Sequence, residues 1–506
     1  MEPARATLTE QLTAGRAARS SHPRRELARL TTDGREPLDI LDRQNATRVP
    51  ALVPLREERM AASPFAFYRG AAAVMAADLA RDRHSGILVA SCGDAHLANF
   101  GFYASPERSL VFDLNDFDEA AWAPWEWDLK RLVTSLVIAG RDSGRSPEVI
   151  ENAVLAAVDG YRLGLDAALR LSPVERYYAN VDAEETLSRL SGPSRKALQD
   201  AITKARKRTA GQAARKLTRK GEDGRIRFLD DTPVMEHVDP SLTRDLNALF
   251  KAYQRNAAID IAFLVQHYSL ADFARRVVGV GSVGTQCFVL ALQDSADDVL
   301  ILQAKEARRS VLAEYGGIAQ PRPLLDGVAE RGEGARVVGL QKILQACSDP
   351  FLGHLQAPEG DFYLRQFRDM KGGIDASTLE DGPFHGYAQA CALLLSRAHS
   401  QSPAATRIAG YLGRGRKVGS ALLDWALAYE EVNAADHRAF AERLKAGSAE
   451  RGTAAPREPG DAPPVRLSRR AGGPKGGQAR GAPTPRISRV CATSRHICST
   501  SASGPR

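Results

Sequence analysis

The chain has 506 residues, of which 43% are apolar, and its formal net charge is +8. This length suffices for one large domain or two ordinary ones, and no apolar run approaches the roughly 18 residues of a membrane span. The first residues contain no short apolar core after their basic side chains, so we expect no signal peptide and a cytoplasmic protein.

The positive charge is concentrated at the C-terminal end of the chain. Residues 448–506 contain 11 Lys and Arg but 3 Asp and Glu, whereas residues 1–447 contain 58 of each sign. The segment 448–506 is rich in Pro, Gly, Ser and Arg, a composition typical of disorder. We therefore predict a disordered basic tail that is solvated, with nonspecific binding to acidic surfaces such as nucleic acid as the alternative, and we predict no membrane partner.

The first 145 residues combine short helices with one buried strand. Residues 1–60 form a polar lead-in with short helices, and residues 63–81 have the apolar spacing of one amphipathic helix. The apolar run 87–91 predicts a short buried strand. Residues 130–139 are apolar enough to form a core helix.

Residues 146–270 have a mostly helical pattern that is interrupted by one turn. The Asp-Gly pair at 223–224 predicts a hairpin. The segment 204–220 carries eight basic residues. Such a run is either a solvated helix face or a surface for an anionic substrate or nucleic acid, and the sequence leaves both interpretations open.

A glycine-rich turn lies between predicted strands further along the chain. Its residues are Gly279, Gly281, Ser282 and Gly284. A dinucleotide-binding fingerprint would continue into a helix, whereas residues 285–292 read as a strand. Strand, glycine-rich turn, strand, turn and a strand at 299–305 with Lys305 is the plan of the nucleotide lobe of protein kinases, where backbone amides and a lysine contact phosphates. An ordinary hairpin with a solvated lysine explains this segment equally well.

The stretch CGDAHLANFGFYASPERSLVFDLNDFDEAAWAPWEWDLKRL, residues 92–132, is unusually acidic for a region of buried strands. Buried carboxylates are costly unless they are paired, hydrogen-bonded or bound to a metal. Phosphoryl transfer requires a carboxylate near the attacking hydroxyl and oxygen ligands that hold Mg²⁺ against the phosphates. The stretch offers suitable side chains in order: Asp94, Asn99, Asp113, Asn115, Asp116, Asp118 and Asp128.

This combination resembles the catalytic half of the aminoglycoside/choline phosphotransferase branch of the kinase-like fold. That branch carries H-G-D-x-H-x-x-N, then I-D-[FWY], then D-[LI]-A. The resemblance implies that Asp94 is the catalytic base, that His96 supports the same loop, and that the cofactors are ATP and Mg²⁺. The chain departs from the pattern at Cys92, where the branch has histidine.

The resemblance also implies a set of metal ligands. Asn99 would be one ligand and Asp116 the second, because the spacing from Asp116 to Asp128 fits the pattern. Asp113 is the competing choice, since it lies closer in sequence to Asn99. Asp128 would be a structural carboxylate that braces the catalytic loop.

Over roughly residues 15–445 the chain more closely resembles a bacterial family known as domain of unknown function 2252. The matching blocks lie at 59–72, 92–101, 112–120, 125–132, 275–292, 302–307, 362–372 and 395–402. This resemblance is specific, but it implies no established substrate.

The order of the motifs is the reverse of that in a kinase, because Asp94 precedes Lys305. We therefore predict an α+β, protein-kinase-like two-lobe fold that is circularly permuted and has a helical insertion. The helix ending near 402 would then reach the catalytic loop through space. The predicted segments are a lead-in at 1–60, the catalytic and metal loops at 61–145, the helical segment at 146–270, the nucleotide-binding lobe at 271–375, the completing helices at 376–447 and the tail at 448–506.

The predicted function is transfer of phosphate from ATP to a hydroxyl of an unidentified small molecule or protein, although AMP transfer would use the same cradle. The lysine of such a site should pair with a glutamate on the next helix, for which Glu314 and the position of Gln341 are the candidates. If Gln341 occupies that place, the ion pair is missing. A non-catalytic nucleotide-binding regulator is therefore the alternative, followed by a basic nucleic-acid-binding protein.

Overall fold

The computed structural model describes residues 6–237, 243–277, 279–358 and 360–453. The chain is 57% helix and 16% strand, so the predicted α+β class is confirmed. The described residues up to Glu450 form one compact unit. The predicted disordered tail lies outside the described residues from 454 onward, and residues 448–453 continue the last helix.

Helices account for most of the described chain. The α-helices are α1 (Leu8–Ser21), α2 (Pro37–Ala46), α3 (Val53–Ala61), α4 (Pro64–Gly70), α5 (Ala72–Leu79), α6 (Trp125–Asp142), α7 (Pro147–Arg170), α8 (Pro173–Tyr178), α9 (Ala183–Arg189), α10 (Gly192–Arg206), α11 (Ala210–Leu217), α12 (Thr243–Asn256), α13 (Ile259–Leu264), α14 (Val311–Glu314), α15 (Arg322–Leu344), α16 (Asp381–His399), α17 (Ala405–Leu412) and α18 (Arg416–Thr453). Short 3₁₀ helices occupy Arg24–Ala28, Pro50–Leu52, Leu97–Asn99, Val265–His267 and Ala376–Thr378.

The strands form four separate sheets in the described residues. They are β1 (Leu88–Ser91), β2 (Phe100–Ala104), β3 (Leu110–Leu114), β4 (Ala121–Pro124), β5 (Thr218–Lys220), β6 (Ile226–Phe228), β7 (Met235–His237), β8 (Ser269–Arg276), β9 (Cys287–Gln293), β10 (Val299–Ala307), β11 (Gly353–Ala357), β12 (Gly360–Gln366) and β13 (Gly372–Gly373).

The largest sheet is antiparallel and has the order β11-β12-β10-β9-β8-β7. Within it, β8, β9 and β10 follow one another in sequence and pair with their neighbours, as the sequence predicts for the strands around the glycine-rich turn. A second sheet has the order β13-β2-β3. Strand β13 follows β12 after a few residues, so the chain from 360 to 373 joins the two sheets directly.

The predicted single helix over residues 63–81 is interrupted. Helix α4 ends at Gly70 and α5 begins at Ala72, with Ala71 in a non-helical conformation. A methyl group at Gly70 would approach the Met60 side chain within 2.6–2.8 Å, so the turn packs tightly against α3. This local packing overrides a helical pattern that is continuous in the sequence.

The predicted core helix at 130–139 lies within α6, which is buried from Trp125 to Gly140. Glu126 and Asp128 lie in its first turn, where negative charge favours the helix dipole. Helices α7 and α16 pack against α6 and against each other. The predicted hairpin at 223–224 is also present, as β5 and β6.

Candidate functional site

The candidate site lies where the ends of strands from different sheets meet. Residues 92–99 follow β1, residues 115–120 follow β3, and Lys305 is near the end of β10. Strands β2 and β3 pair so that Phe100 lies opposite Leu114. Beyond this pair, the Asn115 amide donates to the Asn99 carbonyl over 3.0 Å, which fixes the catalytic and metal loops side by side.

Lys305 is 3% exposed and lies between two aspartates of the metal loop. Its ammonium donates to the Asp118 carboxylate, and its Nζ is 3.6 Å from Oδ1 of Asp116. The Tyr363 hydroxyl donates to the other Asp118 oxygen over 2.5 Å. Burial opposes the charge, but the two carboxylates raise the pKa of Lys305 well above its ordinary value, so this buried side chain is a cation.

Asp116 remains ionised although its surroundings are desolvated. Burial alone would raise its pKa, but Lys305, Arg365 and Lys371 lower the pKa of Asp116 to about 2. Its Oδ1 is buried and accepts no hydrogen bond within the described residues. This oxygen therefore has hydrogen-bonding capacity left for a ligand, while the Lys305 ammonium at 3.6 Å compensates its charge.

Asp113, the competing metal ligand, has a different role in this structure. Its Oδ1 accepts the Leu114 amide and its Oδ2 accepts the Ala346 amide, each over 2.8 Å. The side chain is 2% exposed, and burial raises its pKa. Since both oxygens already bind backbone donors, the geometry favours Asp116 over Asp113.

Asp94 is held by Arg131, a residue that was not predicted from the sequence. Arg131 lies on α6 and donates from Nε to Oδ1 of Asp94 over 2.7 Å, while also donating to the Tyr68 carbonyl over 2.9 Å. The sequence spacing does indicate a role for Arg131, because it lies three residues after Asp128 on one helix and the two side chains therefore share a face. Arg131 fixes the orientation of the predicted catalytic base.

His96 lies beside Asp94 but is not a charged partner. Its Nε2 is 3.5 Å from Oδ2 of Asp94, and burial lowers the pKa of His96 to about 4. The ring packs edge-on against Phe65. His96 is therefore neutral at pH 7. Asn99, the remaining residue of the motif, donates from its side-chain amide to the Asp94 carbonyl over 2.7 Å.

Asp128 anchors the start of the predicted catalytic loop, where Cys92 stands in place of the histidine of the phosphotransferase branch. Its carboxylate accepts the backbone amides of Cys92 over 2.8 Å and Gly93 over 3.0 Å. His399, at the end of α16, lies 3.2 Å from the same carboxylate and bonds the Tyr161 hydroxyl over 2.7 Å. The sequence does not indicate this contact of His399, because Asp128 lies 271 residues away.

The glycine-rich turn packs on the N-terminal helices. A Cβ at Gly281 would lie 3.1 Å from the Arg69 carbonyl oxygen, so glycine permits the close approach. The Gly279 carbonyl accepts from Arg59 over 2.8 Å, and the Gly284 carbonyl accepts from the Val49 amide over 2.8 Å. Gly279 and Ser282 line the same cleft as Lys305, whereas Gly281 and Gly284 support the turn.

A cleft of about 1110 Å³ runs between these elements. Its basic lining residues are Arg69, Arg108, Lys204, Lys207, Arg208, Lys216, Lys305, Arg365, Arg368 and Lys371. Its acidic lining residues are Asp116, Asp349 and Asp369. Such an excess of positive charge suits a ligand that carries several negative charges. Asn99 and Asn115 also line this cleft.

Arg69 combines two features of a binding residue. It lines the cleft, and its Nε is buried without a hydrogen-bond partner in the described residues. Burial lowers the pKa of Arg69, and the charges of Asp94 and Asp116 oppose this effect. The guanidinium therefore lies in the field of both the predicted base and the predicted metal ligand.

The donor set fits Mg²⁺ better than a metal that requires a protein cage. Among the described residues, no group of three or more His, Cys, Asp and Glu side chains could hold a metal ion. Mg²⁺ is commonly held by one or two carboxylates together with water and substrate phosphates. Asp116, with its unsatisfied oxygen, and Asn99 supply hard oxygen atoms of that kind.

A model of the family described as "Uncharacterized protein conserved in bacteria (DUF2252)" matches residues 48–443. The chain belongs to this family. The DUF2252 match includes both the catalytic loop and Lys305. Comparisons with curated proteins and with solved structures gave no match. In the described residues, no helix is both long and apolar enough to cross a membrane.

Proposed function

We propose that this DUF2252 protein is an ATP- and Mg²⁺-dependent phosphotransferase that acts on a hydroxyl group of a small molecule or protein. One observation carries the proposal. Lys305 contacts Asp118, 187 residues earlier in the chain, and lies 3.6 Å from Asp116. Two motifs that each suggest phosphate chemistry are thus parts of one site.

The proposed kinase-like architecture is circularly permuted. The nucleotide-binding strands β8 to β10 come after the catalytic loop in sequence. The C-terminal end of α16 approaches the strand that leads into that loop, since the Ala90 amide donates to the Ser402 hydroxyl over 2.9 Å. His399 contacts Asp128 at the same junction. A single cut and rejoining of the chain would account for this arrangement.

Each site residue has a role in this reaction. Lys305, Arg365 and Lys371 would bind the phosphates, and Asp116 with Asn99 would hold Mg²⁺. Bound Mg²⁺ would neutralise phosphate charge during transfer. Asp94, oriented by Arg131, would accept the proton of the attacking hydroxyl. The hydroxyl oxygen forms a bond to the γ-phosphorus while the bond from that phosphorus to ADP breaks; transfer of AMP would use the same groups.

The second candidate is a nucleotide-binding regulator without transfer activity. The observation in its favour is the missing lysine–glutamate pair. Gln341 of α15 bonds Gln345 over 2.9 Å, and Lys305 pairs with Asp118 instead. Glu314 makes no ion pair with Lys305 in the described residues. The regulator would bind ATP and transfer nothing.

Nucleotide binding is tested by calorimetry with Mg²⁺-ATP. We expect Asp116→Ala and Lys305→Ala to weaken binding at least tenfold, since each removes a charged contact to phosphate or metal. Lys342→Ala, which changes an exposed lysine outside the cleft, is the control. Because Lys305→Ala leaves two carboxylates facing each other, Lys305→Arg is the second variant, with its fold checked by circular dichroism. Absence of wild-type binding, or binding insensitive to both sites, would refute the proposal.

Transfer is tested separately with a metabolite extract, using γ-labelled ATP to detect phosphate transfer and α-labelled ATP to detect AMP transfer. We expect Asp94→Asn to retain ATP binding and to lose labelled product by two or more orders of magnitude, because the base is removed. Asp166→Asn, which alters an exposed carboxylate on α7, is the matched control. ATP binding without any labelled product in the wild type would favour the regulator.

We also propose that the protein works in the cytoplasm, where ATP is available. The cysteines in the described residues, Cys92, Cys287, Cys347 and Cys391, are all free thiols. Free thiols are the rule in a reducing compartment. Cell fractionation with an antibody against the chain would test this location, and recovery in the periplasmic fraction would contradict it.

A further inference from the structure

The basic segment at 204–220 divides into two groups in the structure. Lys204, Lys207, Arg208 and Lys216 line the same cleft as Lys305. In the part of the chain that the structure describes, none of these four forms an ion pair. By contrast, Arg206 pairs with Glu184 and Lys220 pairs with Asp297. The remaining two, Arg215 and Arg219, are exposed and do not line the cleft. Four basic side chains without an ion pair in the described residues thus line one cleft.

A fifth cation joins this group from the segment between the two sheets. Arg368 is exposed at the cleft, and partial burial together with repulsion from Arg208 lowers its pKa. Arg208 and Arg368 both line this cleft. Within the described residues, Arg368 also has no acidic partner; its guanidinium stacks on Phe367 at 5.3 Å. Two like charges thus line one cleft, and neither forms an ion pair within the described residues.

The backbone holds Arg368 in this position under strain. Arg368 has φ of +47° and Met370 has φ of +50°. Non-glycine residues adopt this left-handed region at a cost in backbone energy, and such residues cluster at ligand sites. A solvated loop could relax such strain, whereas this segment is fixed on both sides by β12 and β13.

We propose that Lys204, Lys207, Arg208, Lys216 and Arg368, the basic wall, bind a second ligand that is a small molecule carrying phosphate groups. This inference rests on the proposed function, in which the second ligand is the acceptor. Guanidinium pairs and lysines are the groups that proteins use for phosphate.

The basic wall argues against the acceptors that the family resemblance suggests. Aminoglycosides and choline are cations, and the wall would repel them. The cleft volume of about 1110 Å³ lies just above the usual range of about 300–1,000 Å³ for small-molecule pockets, which is in keeping with a second ligand beside the nucleotide. Nucleic acid is less suitable, because the wall lines a cleft and residues 1–447 carry no net charge.

The test is calorimetry with fructose 1,6-bisphosphate as the probe, on full-length protein with and without the ATP analogue Mg²⁺-AMPPNP. We expect the bisphosphate to bind the nucleotide-loaded wild type. Lys207→Ala/Arg208→Ala should weaken that binding by tenfold or more, since two charged contacts are lost, and should leave the AMPPNP affinity unchanged. The control Arg215→Ala/Arg219→Ala removes the same charge from exposed positions of the same segment and should change bisphosphate binding less than about twofold.

Several outcomes would overturn the basic wall as a phosphate site. The first is that the wild type does not bind the bisphosphate, and the second is that both double variants lose bisphosphate affinity equally. The third is that AMPPNP displaces the bisphosphate. The fourth is that the protein binds a short DNA duplex through these residues and does not bind the bisphosphate. If the wild type fails to bind AMPPNP, the proposed function fails. The comparison of the two double variants without nucleotide then still decides whether the basic wall binds phosphate.

Discussion

Asp128 shows how one buried carboxylate can organise the loop at 92–99, the predicted catalytic loop. It accepts two backbone amides at the start of the loop and contacts His399 from another part of the chain. Charge-assisted hydrogen bonds of this kind are about twice as strong as neutral ones. The loop is therefore fixed through its backbone, which explains how a thiol at Cys92 is tolerated.

Replacing this carboxylate should destabilise the whole protein. We expect Asp128→Asn to lower the free energy of unfolding by about 3 kcal/mol, because one oxygen becomes an amide that faces backbone donors. Urea unfolding followed by circular dichroism measures the change. Asp166→Asn, at a partly exposed pair with Arg162 one turn earlier on α7, should cost less than about 0.5 kcal/mol. Equal effects of the two substitutions would contradict the role assigned to Asp128.

The protonation of Lys371 should respond to negative charge in the cleft. Repulsion from Arg365 and then burial lower the pKa of Lys371 to about 7, so the side chain is partly neutral at pH 7. A bound phosphate would offset the neighbouring positive charge and raise this pKa towards its ordinary value. Binding of an anionic ligand near pH 7 should then take up protons.

We expect Mg²⁺-ATP binding at pH 7 to be accompanied by the uptake of roughly half a proton per protein molecule. At pH 5.5 this proton uptake should be smaller, because Lys371 is already protonated there. Calorimetry in buffers of different ionisation enthalpy measures the uptake. Lys371→Gln should abolish most of it, whereas Lys342→Gln should leave it unchanged. Release of protons, or uptake that persists in Lys371→Gln, would show that another group titrates.

At the scale of elements, helix crossings in this protein depend on glycine. Helices α1 and α17 approach so closely that a methyl group at Gly15 would overlap the Arg407 carbonyl oxygen. Gly410 makes the reciprocal approach to the Leu12 carbonyl. Because the approach is backbone to backbone, neither side has a flexible group that could move away. This crossing connects the N-terminal lead-in to the helical core.

Gly15→Ala should weaken this crossing and destabilise the protein by about 1–3 kcal/mol, as overpacking typically does. Gly339→Ala is the matched control, since no atom lies within 4 Å of a Cβ built there in the middle of α15. That substitution should stabilise the protein by about 0.5–1 kcal/mol. Thermal and urea unfolding of both variants would show whether the two changes in the free energy of unfolding have opposite signs. A stabilising effect of Gly15→Ala would refute the close crossing of α1 and α17.

At the scale of the whole molecule, the site depends on the meeting of two sheets. The Lys305 strand belongs to the six-stranded sheet, and the metal loop follows the three-stranded one. A ligand between them should stabilise both sides together, because each contributes contacts to it. Neither of these two sheets alone supplies all the residues of the candidate site.

Hydrogen exchange with and without Mg²⁺-AMPPNP would test this coupling. We expect slower exchange, by roughly tenfold or more, in peptides from 94–118 and from 279–305 simultaneously. Peptides from α1 and α17, outside the cleft, should exchange at unchanged rates and act as the internal control. Protection confined to one of the two segments would show that they do not bind the same ligand.

The sequence by itself determined the local elements and the chemistry of the candidate residues. The strands around the glycine-rich turn, the hairpin at 223–224 and the core helix α6 follow from periodicity and turn residues, which act over a few positions. The acidic loop and Lys305 were also evident, because carboxylates near apolar strands require an explanation. These features depend on neighbours in the chain.

Only the tertiary structure decided which of these residues act together. The preference for Asp116 over Asp113 as the predicted metal ligand depends on the Ala346 amide. This amide lies 233 residues from Asp113 in sequence and donates a hydrogen bond to its carboxylate. The contact of Asp128 with His399 and the grouping of Arg208 with Arg368 likewise join distant segments. Burial and ion pairing are set by such long-range contacts, and they decide whether a charged side chain supports the fold or remains available for a ligand.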